Sequence, residues 1–299
     1  MRHGLLIYNP AAGGHAHAER MREIVARARR SGVTLEERIT TGPGSATEIV
    51  AASLASAPDL IVIAGGDGSI REAATALVGS ETPLAILPYG TGNVLAREYG
   101  IGTNPERAEQ LLTSRATRRL TAWRAGDGVC FMWMGAGFDA RMLKRTVPAL
   151  KRSFGRVGIG WTAAIEFARH DLPSLAVEGI EADGRAFTRE ATFAVAANIK
   201  RYGGDMMLAP DADPEDDLLD VTLFTGRGRV GFARLFARIA LGQMARINDS
   251  DIRQIRARSL SVRSTGTKPV EVQIDGDDAG FTPATIGPVA GYVRIVVAE

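Results

Sequence analysis

Cysteine is almost missing from this chain of 299 residues: Cys130 stands alone. One thiol excludes an internal disulfide and any cysteine-rich zinc centre, so nothing argues for an oxidising compartment and a cytoplasmic protein is the expectation. Long apolar runs are missing too. None approaches the ~20 residues that span a bilayer, and Met1–Gly4 leads straight into a short strand-like run without a signal-peptide core. Lysine is scarce, 4 against 32 arginines, and the net charge of +2 names no partner by itself. With 45% hydrophobic and 23% charged residues, the composition is globular, which rules out collagen-like, coiled-coil and disordered chains. At a prior of ~150 residues per domain, the length allows one large domain or two ordinary ones.

What is present changes character near Thr121. Before it, short apolar runs alternate with helical patterns: strands over Gly4–Tyr8, Val33–Ile39, Leu60–Ala64 and Leu84–Leu87, and helices over His15–Arg30, Ser45–Ala57, Ser69–Val78 and Asn93–Tyr99. Leu60–Ala64 is continuously apolar, as in a strand covered on both faces of a parallel sheet. Strands spaced by helices predict βαβ units. After Thr121, strands dominate: Val129–Met134, Leu175–Ile180, Ala186–Ala197, Leu218–Phe224, Leu260–Arg263, Val270–Ile274 and Val293–Val297. Helices interrupt them near Arg141–Ala149, Gly158–Arg169 and Val230–Met244. The expected architecture is an α/β N-terminal domain with a Rossmann-like parallel sheet, followed by a mainly-β sandwich or barrel with helical insertions.

Glycines cluster where strands end. The first strand runs into Asn9-Pro10-Ala11-Ala12-Gly13-Gly14, the third into Gly65-Gly66-Asp67-Gly68-Ser69, and the fourth into Leu87-Pro88-Tyr89-Gly90-Thr91-Gly92-Asn93, each before a helix. Glycine admits close approach of backbone to an anion, and helix N-termini offer free N–H groups. Each turn alone is explained as a tight turn; three at one end of one sheet point to phosphate binding. The chain has no Gly-Lys-Ser/Thr Walker loop, no spaced G-x-G-x-x-G fingerprint and no G-x-S-x-G elbow, so P-loop NTPase, dinucleotide-binding and α/β-hydrolase readings lack their signatures.

NPAAGG, GGDGS and LPYGTGNVLARE, followed by GAGFDA (Gly135–Ala140), YGGDMMLAPDADPEDDLLDV (Tyr202–Val221) and QIDGD (Gln273–Asp277), resemble in order and spacing the soluble diacylglycerol kinase and sphingosine kinase family of lipid kinases, within the NAD kinase-like superfamily. The resemblance spans nearly the whole chain. It implies a nucleotide-binding catalytic domain over 1–122 and a β-sandwich lipid-substrate domain over 123–299, with the last strand returning to the first domain. It also implies an ATP- and Mg²⁺-dependent kinase that phosphorylates a hydroxyl of diacylglycerol or a sphingoid-type lipid.

Residue by residue, the resemblance sets the ATP phosphates against Asn9, Pro10, Ala11, Ala12 and Gly13, against Gly65, Gly66, Asp67, Gly68, Ser69, Ile70 and Arg71, and against Thr91, with Thr40 as a further nucleotide contact. Asp67 repels phosphate unless Mg²⁺ intervenes; a carboxylate capping the next helix competes with that reading. In the acidic stretch Asp211–Asp220, the family holds a structural Mg²⁺ with positions matching Asp213, Asp216 and the carbonyl of Leu218, although Asp217 stands where the family usually has Gly. The family's general base is the last residue of Asp-Gly-Glu. Here that position is Asp277, one methylene shorter, with Asp275 as helper or alternative. Asp275-Gly276 is also a strong hairpin-turn signal.

Arg141–Arg156 carries six basic residues and no acidic one, interleaved with Met142, Leu143, Val147, Leu150 and Phe154. The pattern suits either a peripheral membrane contact through anionic lipids or a solvated face. The implied partners are a lipid substrate at a membrane surface and, as oligomer, a homodimer; no nucleic acid is expected. Cys130 reads as a small core residue, Trp123, Trp133 and Trp161 as core or lipid-pocket packing, and His15 and His17 as surface histidines. The competing functions are an NAD kinase-like enzyme acting on a small molecule and a weakly active nucleotide- or lipid-binding regulator.

Overall fold

The computed structural model describes residues 2–9, 14–145, 172–202, 206–226, 228–244 and 249–299. They divide into two compact units: one reaches to Ala122 and also takes in Ala290–Glu299, the other comprises Trp123–Tyr202 and Met206–Val289.

The first unit runs β1 (Arg2–Tyr8), α1 (Gly14–Arg30), β2 (Val33–Ile39), α2 (Ser45–Ser53), β3 (Leu60–Gly65), α3 (Asp67–Leu77), β4 (Leu84–Pro88), α4 (Val94–Glu98) and α5 (Pro105–Glu109). Its strands lie parallel in the order β4-β3-β1-β2. Leu60, Ile61, Val62 and Ile63 are fully buried, because helices cover a parallel sheet on both faces and leave no side for a polar residue. Asn104 caps α5, accepting N–H from Glu106 and Arg107, and Pro105 sits at the first helical position, where its missing N–H costs nothing.

Strand order fixes where a ligand can sit. From β1 the chain moves to β2 on one side, then returns to β3 on the other, so the order reverses between β1 and β3. Open α/β sheets bind ligands beyond the carboxyl ends of the strands at that point. Register aligns those ends: Tyr8 pairs with Ile39 and Ala64, and Gly65 with Pro88.

The second unit is mainly antiparallel. It continues from β5 (Thr117–Ala125), whose start lies in the first unit, through β6 (Gly128–Cys130), β7 (Trp133–Ala136), α6 (Phe138–Arg145), β8 (Leu175–Glu181), β9 (Ala186–Ala191), β10 (Phe193–Ala197), β11 (Leu219–Phe224), α7 (Arg229–Ala240), β12 (Ile252–Ser264), β13 (Glu271–Ile274), β14 (Asp277–Phe281) and β15 (Ala284–Val296). One path runs β14-β13-β7-β10-β11-β12-β15; β8 also pairs with β12, β9 with β8, and β6 with β5. The first half of β12 pairs with β11 and the second half with β8, with a bulge between Ala257 and Ser259. Such a strand turns the corner between two layers of a sandwich. Inward residues of ten strands, among them Trp123, Cys130, Phe187, Leu219 and Val272, form its core. β15 begins against β12 and ends against β4 at Ile295–Leu84.

Several expected elements differ. Ala186–Ala197 is two strands, broken at Thr192, whose hydroxyl donates to the carbonyl of Gly226 at 2.9 Å; β9 pairs with β8, and β10 with β7 and β11. Val129–Met134 breaks at Phe131–Met132. β12 and β15 are longer than expected, while β5, β14 and α5 are additional. The helix expected over Arg141–Ala149 is described as far as Arg145. The helix Gly158–Arg169, Trp161, most of the basic segment Arg141–Arg156, Pro10–Gly13 and the side chains of His15 and His17 lie outside the described residues.

Candidate active site

Two glycine turns of the first unit are packed backbone against backbone. The N–H of Tyr89 donates to the carbonyl of Gly65 at 3.0 Å. A Cβ on Gly90 would fall 2.4 Å from Cα of Gly66, and one on Gly66 would fall 3.1 Å from Cα of Gly90. Only glycine allows that approach. Asn93 then fixes the second loop from inside: it is buried, adopts φ of 50°, accepts the N–H of Gly90 at 2.9 Å and donates to its carbonyl at 2.7 Å. Asparagine tolerates this left-handed conformation better than most residues. The turn between β2 and α2 is tied in through α3. Glu72 accepts the N–H of Ala46 at 3.2 Å, and its carbonyl accepts the Thr47 hydroxyl at 2.9 Å, holding the start of α2 beside α3. Thr40, the first residue after β2, donates its N–H to Tyr8 at 2.9 Å.

Asn9, Thr40, Gly65, Gly66, Gly68, Ser69 and Thr91 therefore lie at one end of the sheet, with Asn9, Gly68 and Thr91 exposed. Ile70 is buried within α3. Asp67 reaches across to the loop that follows β4. Its carboxylate accepts the N–H of Leu95 at 3.2 Å, at the start of α4. Burial pushes its carboxyl up, and the backbone N–H groups of Leu95, Val94 and Asn93 pull it down. Of its two expected uses, capping is the one these contacts display, and the helix it caps is α4.

The second unit carries the acidic hairpin. Asp275 and Gly276 form a two-residue turn between β13 and β14, with φ of 52° and 86°; positive values at both positions are what a type I′ hairpin demands. Asp275 is 8% exposed. Its oxygens accept N–H from Phe131 at 2.9 Å, Met132 at 2.7 Å and Trp133 at 3.1 Å, and the thiol of Cys130 at 3.2 Å. Burial raises its carboxyl while these donors lower it. A carboxylate committed to four donors holds the turn in place. It also explains the break in Val129–Met134, since N–H groups given to Asp275 are lost to the strand ladder. Asp277, two residues on, is exposed at the start of β14.

Beneath the hairpin is a buried polar chain that the motif GAGFDA did not advertise. Asp139 accepts the Tyr202 hydroxyl at 2.6 Å and Nε2 of Gln273 at 2.9 Å, and Oε1 of Gln273 accepts the N–H of Gly276 at 2.9 Å. Burial raises the carboxyl of Asp139, and burial beside that carboxylate raises the Tyr202 phenol well above its usual range. A Cβ at Gly135 would sit 2.0 Å from Oδ2 of Asp139, which explains glycine there.

The expected magnesium ligands are arranged differently. Asp213 accepts the N–H of Glu215, and Asp216 that of Leu218, both at 3.0 Å. The other oxygen of Asp216 is paired with Arg256, whose Nε also lies 3.8 Å from Asp220. Leu218 thus offers this group its N–H, and Asp216 spends both oxygens on protein donors. The donor chemistry suits Mg²⁺, and among the described residues no three His, Cys, Asp or Glu side chains come together as a ready-made cation site. Burial, together with Asp216, Asp211 and Asp213, pushes the carboxyl of Asp220 up to about 6 despite Arg256.

A cavity of about 630 Å³ between α1 and α5 is lined by Arg20, Arg27, Glu106 and Glu109 among others, and by none of the expected site residues.

The chain matches the diacylglycerol kinase catalytic domain over residues 3–125 and the YegS C-terminal NAD kinase beta sandwich-like domain over residues 133–297. It is 30% identical over 296 residues to a diacylglycerol kinase of Mycobacterium tuberculosis, covering 96% of this chain and 93% of that one. It is 26% identical over 304 residues to a diacylglycerol kinase of Bacillus subtilis, covering 99% and 97%. A crystal structure of a diacylglycerol kinase from Bacillus anthracis str. Sterne superposes with a TM-score of 0.74 at 22% identity, over 100% of this chain and 97% of that one, which shows the shared fold. A parallel α/β unit with glycine turns at its switch point, joined to a β-sandwich with an acidic hairpin, is the build of a phosphotransferase. The chain belongs to the diacylglycerol kinase and YegS-like lipid kinase family.

Proposed function

We propose that the chain is an ATP-dependent lipid kinase that moves the γ-phosphoryl group of MgATP to a hydroxyl of diacylglycerol or a sphingoid-type lipid, working as a peripheral, cytoplasmic enzyme at the membrane surface. The observation that carries the reading is the aligned set of strand ends at the β1–β3 reversal, where Asn9, Thr40, Gly65–Ser69 and Thr91 bring glycine backbone and short side chains to one end of the sheet. Phosphates bind such turns through N–H groups and helix N-termini. Arg71, in the first turns of α3, adds positive charge. Magnesium bound with the nucleotide would supply neutralisation of the phosphate charge.

Asp277 is the base. It accepts the hydroxyl proton as the lipid oxygen forms its bond to Pγ; the bond from Pγ to the bridging oxygen breaks, and ADP leaves with that oxygen. A carboxylate serves when it comes within about 3 Å of the hydroxyl or reaches it through one water. Asp275 is its anchor, since the buried turn sets where Asp277 emerges.

The test is incubation with γ-labelled ATP and a panel of acceptors: diacylglycerol, a sphingoid base and NAD. Label on a lipid hydroxyl supports the reading. Label on NAD, or ATP binding without transfer, overturns it in favour of a small-molecule kinase or a regulator.

A further inference from the structure

Helix α7 is apolar on both faces. Phe232, Leu235 and Ile239 are buried, and the rings of Phe232 and Phe236 pack on Phe138, Phe193 and Phe224 with centroids 5.1–5.8 Å apart. The opposite face is Val230, Ala233, Ala237 and the C-cap residue Leu241, all exposed. At 3.6 residues per turn these four fall within a single arc. Val230 is 75% and Leu241 69% exposed, two of the four large hydrophobics so exposed among the described residues. A helix facing water carries polar residues there. Along one edge of the arc lie Arg234, exposed, and Arg238, half-buried and 3.6 Å from Asp249. The helix contains three arginines and no acidic residue.

We propose that this outer face of α7 seats the enzyme on an anionic bilayer, with Val230 and Leu241 entering the acyl boundary and Arg234 meeting lipid phosphates; the proposal rests on the lipid-kinase reading, which requires the chain to reach an acceptor held in a membrane. Charge complementarity selects the occupant. In a two-fold contact with a second copy, Arg234, near the middle of the stripe, would face its own counterpart, whereas headgroup phosphates satisfy it. The stripe is also only about 18 Å long, small beside the ~800 Å² per partner of a standard protein interface. α6 links this face to the proposed base. Its Phe138 packs on α7, and its Lys144 pairs with Asp278 at 3.3 Å and lies 4.3 Å from the ring centroid of half-exposed Phe281, both on the strand that Asp277 begins.

The experiment is flotation with vesicles of phosphatidylcholine alone and of phosphatidylcholine mixed with phosphatidylglycerol, using the full chain, the double variant Val230→Glu/Leu241→Glu and the single variant Arg234→Gln. The full chain is expected on the mixed vesicles, with binding falling as salt rises. The double variant should lose about tenfold or more in vesicle affinity, and Arg234→Gln about fivefold, on the mixed vesicles only. A milder Val230→Ser/Leu241→Ser pair, without added charge, should weaken binding in the same direction. All four should phosphorylate diacylglycerol in detergent micelles alike. Binding to mixed vesicles by the double variant as by the full chain, no binding by the full chain, or a dimer-to-monomer change on sedimentation with vesicle binding kept, each overturns the proposal. Micellar transfer that proceeds in any of those cases leaves the kinase reading standing; α7-dependent binding with no lipid labelled anywhere leaves the surface standing and removes the kinase reading.

Discussion

Asp67-Gly68 opens α3 in the first unit and Asp275-Gly276 forms the hairpin turn in the second, and in both pairs the aspartate directs its carboxylate onto backbone N–H groups. Asp67 receives the first turn of α4; Asp275 receives Phe131, Met132 and Trp133 together with the Cys130 thiol. The difference lies in what each pair then leaves open. Around Asp67 the backbones of Gly66 and Gly90 are pressed together, and the surface they form is one of amides and small residues, suited to an anion. Beyond Asp275 the hairpin exposes a second carboxylate, Asp277, suited to taking a proton. The buried aspartates thus hold backbone in place, while the exposed one is the carboxylate proposed as the base.

That contrast can be strained from both sides. Asp275→Ala strands several buried N–H groups at once. At 1–3 kcal/mol for each unsatisfied group, partly recovered by water, the expected loss is about 3–5 kcal/mol, read as a lower urea midpoint at unchanged slope. Gly66→Val drives a branched side chain into Gly90 and should weaken ATP binding about tenfold or more by overpacking the turn; titration calorimetry checks it, and unchanged affinity removes phosphate binding from this turn. Asp67→Ala should cost about 1–2 kcal/mol of stability, the usual worth of a helix cap.

The smallest effect concerns Asp220 and depends on pH. Its folded carboxyl is raised to about 6, above the ordinary value near 4, so the folded state holds a proton that the unfolded chain releases. The favourable contribution is present below pH 4 and is lost as pH rises through 6. Above that, the buried charge works against folding. Asp220→Asn should therefore stabilise the protein at pH 8, by on the order of 1 kcal/mol after screening at this half-buried position, with the advantage gone by pH 4. Melting temperatures of both proteins across that range decide it.

Much of the first unit is legible in the residues because its physics is local. Leu60–Ala64 has no polar residue, as a strand between two helical layers requires, and the turns that follow β1, β3 and β4 are spelled by glycine. The second unit is harder to read because its strands are half-exposed or change partners. β12, IRQIRARSLSVRS, alternates buried Ala257, Leu260 and Val262 with outward polar residues, and its arginines mask the first half. Ala186–Ala197 is apolar enough for one strand, yet breaks at Thr192 where its neighbours change. The use of Asp275 was not visible for a plainer reason: its donors lie 142–145 positions away. Asp216 is similar, since the arginine that takes its second oxygen arrives from β12. The both-faced hydrophobicity of α7 is written in RVGFARLFARIA, but which face meets protein emerges only once Phe138, Phe193 and Phe224 are in place.

The most direct measurement compares Asp277→Asn with the parent protein in phosphoryl transfer, ATP affinity and melting temperature. As an exposed base, Asp277 should lower turnover by about 10²–10⁴-fold when neutralised, with ATP affinity and melting temperature unchanged. Turnover at the parent rate, or a fall in stability matching the fall in rate, would contradict the division between the aspartate that builds the hairpin and the one that reacts.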